Sequence, residues 1–106
     1  MKVYGFTTEA EGIIEVGNSL KPMQEFVGGL IEVIGLTPEL DLVCNDEGKI
    51  NNMPPTAAWL DHNSRMLDVI CGSCFVCRHD DKGNFTSIWD EDVEIINRIM
   101  IRCFTL

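Results

Sequence analysis

In QEFVGGLIEVIGLTPELDLVCNDEGKI, residues Gln24 to Ile50, a helix stop, two strands and two turns follow one another without a gap. The pair Gly28-Gly29 ends a helix, because the left-handed residue that closes a helix is least costly as glycine. Leu30 to Leu36 is rich in β-branched residues and sends Glu32 to solvent, and Thr37-Pro38 turns the chain. Leu40 to Cys44 then alternates Leu40, Leu42 and Cys44 against Asp41 and Val43, the period of a strand. It closes on the turn Asn45-Asp46-Glu47-Gly48. A helix feeding a β-hairpin is therefore the unit on which the other segments are expected to pack.

Upstream, Lys2 to Thr7 alternates in strand fashion, and Gly12 to Val16 follows the polar turn Thr8-Glu9-Ala10-Glu11, predicting a hairpin. Asn18-Ser19 offers N-cap chemistry for a helix from Leu20 to Val27, with Pro22 in the first turn where no intrahelical bond is lost. Downstream, Pro54-Pro55-Thr56-Ala57-Ala58-Trp59-Leu60 reads as a short proline-initiated helix. The run Asp68 to Arg78 is the candidate central strand. Asp80 to Asn84 has turn residues, and Phe85 to Ile88 is the return strand. A longer helix is expected from Asp90 to Cys103, where Val93, Ile95, Ile96, Ile99, Met100, Cys103 and Phe104 cover about half the circumference at ~100° per residue. That width fits either packing on the sheet or a homodimer through this helix. The predicted class is α+β: one domain, residues 1–106, built mainly as an antiparallel sheet of hairpins with a short helix in the N-terminal half, the proline-initiated helix and the longer C-terminal helix.

A chain of 106 residues with 45% hydrophobic content supports one core that buries roughly 60–70% of the unfolded surface. No apolar run approaches the ~20 residues of a membrane span, and the opening MKVYGFTTEAEG lacks the basic-then-apolar layout of a secretion signal. Five cysteines, an odd number, point to free thiols in a reducing compartment. The expected location is cytoplasmic.

Seventeen acidic residues against eight basic ones give a net charge of −9. Such a charge disfavours nucleic acid and anionic membranes and favours basic protein surfaces, although it also serves solubility. The sharpest local pattern is Cys71-Gly-Ser-Cys74-Phe-Val-Cys77 with His79 beyond it, a spacing that suits zinc when the backbone loops around the ion. Strand alternation would instead send Cys71 and Cys77 to one face and Cys74 to the other, so no metal and no cofactor is expected. A small thiol- or metal-dependent regulator stays open as an alternative. His62 and His79 have no neighbour arrangement that defines a base and a nucleophile, and Gly28-Gly29 lacks phosphate-loop spacing; a non-enzyme is expected. What remains is carboxylates in three groups: Glu39, Asp41, Asp46 and Glu47; Asp80 and Asp81; Asp90, Glu91, Asp92 and Glu94. The last group suits a helix start, where each carboxylate stabilises the dipole by ~0.3–1 kcal/mol. Together the groups could also present spaced negative charge, as duplex nucleic acid does every ~1.7 Å along its axis.

Three segments, QEFVGGLIEV at Gln24 to Val33, LDLVCNDEGKINNMPPTAAW at Leu40 to Trp59 and ICGSCFVCRHDDKGNFTSIWDEDVE at Ile70 to Glu94, resemble a family of short domains of unknown function. That family is carried by phages, plasmids and other mobile elements of Gram-positive bacteria. The cysteines at Cys71, Cys74 and Cys77 depart from its pattern, which has small or apolar residues there. A small acidic protein of such elements looks like a counter-defence factor and is similar to a type II-A anti-CRISPR protein. The resemblance implies an inhibitor that binds the RNA-guided nuclease of that system, occupies the positively charged channel for its guide–target duplex and blocks guide RNA loading. A non-catalytic adaptor of a mobile element is the remaining alternative. The ten carboxylates above are nominated as partner-binding on charge alone.

Overall fold

The structure, a computed structural model, describes residues 1–103. In chain order it contains strands β1 (Lys2–Phe6) and β2 (Glu11–Glu15), helix α1 (Leu20–Val27), then β3 (Ile31–Gly35), β4 (Leu40–Asn45), β5 (Pro55–Leu60), β6 (Met66–Cys71), β7 (Cys74–His79) and β8 (Phe85–Thr86), helix α2 (Asp92–Ile99) and β9 (Met100–Arg102). All strand pairs are antiparallel. The larger sheet runs β2-β1-β7-β4-β3 with β8 added to β7, and a second sheet runs β6-β5-β9.

Alternation in the two innermost strands of the larger sheet builds two cores, because successive side chains leave a strand on opposite faces. On one face Val3, Val43, Phe75 and Cys77 meet Met23 and Val27 of α1. Phe26 of the same helix sets its ring edge-on to Phe75, with centroids 5.7 Å apart. On the other face Phe6, Leu40, Leu42, Cys74 and Val76 pack against Ala57 and Ile70 of the small sheet and Ile96 of α2. β4 is buried along its whole length. Fully burying each such aliphatic or aromatic side chain stabilises the fold by roughly 1.5–3 kcal/mol.

The deciding hairpin forms as its alternation requires, with Ile31 opposite Asn45 and Ile34 opposite Leu42. Gly28 closes α1 at φ 82°, and its N–H donates to the Gln24 carbonyl at 2.8 Å. Asn45 Nδ2 donates to the Val27 carbonyl at 3.0 Å, which ties the helix end to β4. Ser19 occupies the N-cap position without a side-chain cap bond, while Asn18 Nδ2 donates to the carbonyl of Phe85.

Four expectations are corrected. The segment predicted as a proline-initiated helix is strand β5, the middle strand of the small sheet. Pro55 pushes Pro54 away from helical angles, and pairing on both sides with β6 and β9 overrides the helical preference of Ala57 and Ala58. The run Asp68 to Arg78 is two strands in different sheets: Gly72, at φ 91°, breaks it, and only β7 is central. The C-terminal helix ends at Ile99, after which Met100 pairs with Trp59 and Ile101 with Ala58. Met100 and Cys103 therefore do not continue a helical stripe, and Phe104 lies outside the described residues. Lastly, the return strand after the Asp80–Asn84 turn is only Phe85–Thr86. No helix among the described residues is long and apolar enough to cross a membrane.

The helix face offered for dimerisation is mostly spent inside the molecule. Ile96 is fully buried and Val93 and Ile99 pack against the same core, which leaves Ile95 exposed.

Candidate functional site

β7 carries Arg78 and His79 to its end, and alternation sends them to opposite faces of the sheet. A guanidinium in a strand this buried requires a partner, because desolvating an unpaired charge is prohibitive. Arg78 Nη1 donates to Asp92 Oδ1 at 2.7 Å, and the two side chains are only 12% and 4% exposed. Asp92 Oδ2 accepts the backbone N–H of Trp89 at 2.7 Å, fixing the approach to α2. The Arg78 guanidinium carbon lies 3.5 Å from the Trp89 ring centroid, a cation–π stack in which the indole covers the buried cation.

Trp89 is nevertheless 60% exposed. It borders a groove of about 410 Å³ whose other walls include Thr37 and Glu39 from the β3–β4 connection, Leu40 at the start of β4, Glu91 at the N-cap of α2 and Ile95 within it. Glu39 receives a weak bond from Thr37 Oγ1 at 3.4 Å. Among the described residues, no ion pair engages the carboxylates of Glu39, Asp81 or Glu91.

Five of the remaining nominated carboxylates, Asp41, Asp80, Asp90, Asp92 and Glu94, are engaged within the molecule. Asp41 is 8% exposed, and its Oδ2 lies 2.8 Å from His79 Nδ1. Asp41 and Asp92 are thus corrected from surface charges to buried, partnered groups: one points inward from a central strand and the other anchors a helix start. Asp80 accepts the N–H groups of Lys82 and Asn84 at 2.9 Å, and these bonds, that from Asn84 foremost, hold its carboxyl below the ordinary value. Asp90 pairs with Lys2 at 2.9 Å and Glu94 with Arg98 at 2.6 Å, one helical turn away.

Asp46 and Glu47 sit beyond the far end of β4 from Glu39, with the strand itself roughly 17 Å long at ~3.3 Å per residue between them. Asp46 lines a separate groove of about 280 Å³ with Glu32, Cys44, Lys49, Asp68 and Cys71, in which Lys49 pairs with Asp68. The sequence groups therefore do not form one acidic face. Glu39 and Glu91, far apart in the chain, share a groove; Asp46 and Glu47 belong elsewhere.

Cys74 and Cys77 point into opposite cores, and burial pushes both thiols up to about 12. Cys44 shares the core of Cys74 and is likewise pushed to about 12, by burial first and by the Glu32 carboxylate second. These are protonated packing groups, since the thiolate is the form that binds metal or attacks. The thiol-regulator alternative gains no common site from this arrangement.

Sequence reasoning missed Trp89 and Arg78. The available signal was a single arginine at the end of an otherwise apolar strand, together with a tryptophan immediately before an acidic helix start.

A family model described as a domain of unknown function, DUF3846, matches residues 1–101. No curated protein and no solved structure matches the chain.

Proposed function

The chain belongs to the DUF3846 family, whose description assigns no chemistry, and from that premise we propose that it is a non-catalytic binding protein that docks on a basic protein surface. The docking face is the end of the larger sheet where Glu39 and Glu91 line the Trp89 groove. The observation that carries this reading is the exposed Trp89, stacked on Arg78 and bonded through its backbone to Asp92, in a groove it shares with two carboxylates, Glu39 and Glu91, that no ion pair among the described residues engages. Aromatic residues in such settings supply most of the energy of protein interfaces, and a charged rim speeds encounter and selects partners.

In its finer form the proposal follows the resemblance drawn from the sequence. The partner is the RNA-guided nuclease of a type II-A CRISPR system, and the acidic end occupies the cationic channel that otherwise receives guide RNA. The chain then acts as an anti-CRISPR inhibitor by competition for that channel, with no chemistry of its own.

Order-of-addition gel shifts test it. Preincubating the nuclease with excess protein should prevent assembly with guide RNA, whereas adding the protein after the guide should have a much smaller effect. Undiminished assembly after preincubation at saturating protein would reject the anti-CRISPR form.

A further inference from the structure

We propose that the Trp89 groove takes an arginine side chain of the bound protein, stacked on the outer face of the indole. This rests on the docking reading above and narrows it from a basic partner to one chemistry. Arg78 is 12% exposed beneath a tryptophan that is 60% exposed, so one ring face is covered by the internal guanidinium and the accessible area belongs to the other face and the edges. A planar guanidinium stacks on such a surface, whereas an ammonium remains a strongly hydrated point charge.

The repulsion between the inner cation and the incoming one is reduced by the inner cation's own counter-ion. Asp92 lies 2.7 Å from Arg78, making the layer under the indole an ion pair of zero net charge. Asp92 also holds the Trp89 backbone, which places the ring before binding and reduces the ordering cost. Leu40 and Ile95 offer apolar walls for the methylene stem of the arginine. Glu39 and Glu91 line the same groove and can accept the N–H donors of a guanidinium, a charge-assisted bond stronger than a neutral one.

The test is calorimetric titration of the wild-type protein with blocked tetra-arginine and tetra-lysine peptides of equal charge, with the two indole N–H resonances followed by NMR and assigned with Trp59→Phe. Arginine peptide should bind at least fivefold tighter than lysine peptide and move the Trp89 signal, and Trp89→Ala should abolish that preference. Equal affinities that are both lost in Glu39→Lys/Glu91→Lys would overturn the arginine inference while sustaining a basic partner. An arginine preference that persists in Trp89→Ala would also overturn it. If neither peptide binds, the inference falls, and the docking reading is decided separately by the nuclease gel shift.

Discussion

Arg78 and Asp92 form an ion pair at 2.7 Å whose side chains are only 12% and 4% exposed, joining the end of the most central buried strand to the first residue of the last helix. The pair supports a third residue, since the same aspartate fixes the backbone of Trp89 while the same arginine lies under its ring. The exposed aromatic is thus positioned by buried electrostatics.

Removing one partner leaves a buried charge without compensation, an effect of about 3–5 kcal/mol. Asp92→Ala should lower the free energy of unfolding in urea by that amount, and Trp89 emission should shift to the red as the ring loosens. Arg78→Met with Asp92→Leu should recover most of the stability, because apolar replacement of both partners removes the desolvation cost, yet it should not restore the ring's position.

Space, not backbone angle, sets the next prediction. A Cβ on Gly48 would lie 2.2 Å from the carbonyl oxygen of Cys71, whereas one on Gly35 would meet nothing within 4 Å. Gly48→Ala should therefore cost about 2 kcal/mol or more and Gly35→Ala less than about 0.5 kcal/mol, measured as a shift in the urea midpoint. Similar effects at the two positions would mean that the loop after β4 does not sit against the end of β6.

The buried thiols give a pH dependence with a defined sign. Their folded values of about 12 lie above the ordinary 9.0, so above pH 9 the unfolded chain releases protons that the folded chain retains. Stability contributed by Cys74 and Cys77 is fully present below pH 9 and is lost as the pH rises from 9 towards 12. Denaturant titrations at pH 8 and pH 10 should show the decline, and Cys74→Ala/Cys77→Ala should flatten it. In native protein at pH 8, iodoacetamide should label Cys71 and Cys103, which are half-buried, well before Cys74 and Cys77. Prompt labelling of Cys74 would contradict its placement.

Much of the fold was legible where short-range chemistry decides it. Gly28 stops a helix through its own backbone freedom, and the alternation of Leu40, Leu42 and Cys44 already names the face they share. β5 was not legible, because Ala57, Ala58 and a leading proline favour a helix locally and only pairing with segments on both sides makes them a strand. The same long-range demand turns Met100 to Arg102 from helix to strand. In the site, residue type was readable and burial was not. Asp41 and Asp92 look like Glu39 and Glu91 in the sequence, and only the distant partners His79 and Arg78 separate buried carboxylates from those that meet solvent.

The central claim is that location, not total charge, makes the acidic surface a docking face. The most direct measurement is binding of a type II-A RNA-guided nuclease to two double variants of equal charge change. One reverses Glu39 and Glu91, which line the Trp89 groove, to lysine; the other reverses Glu25 and Glu47, both exposed and outside that groove. The account predicts loss of at least a hundredfold in affinity for the first and less than tenfold for the second. Equal losses for the two would contradict it.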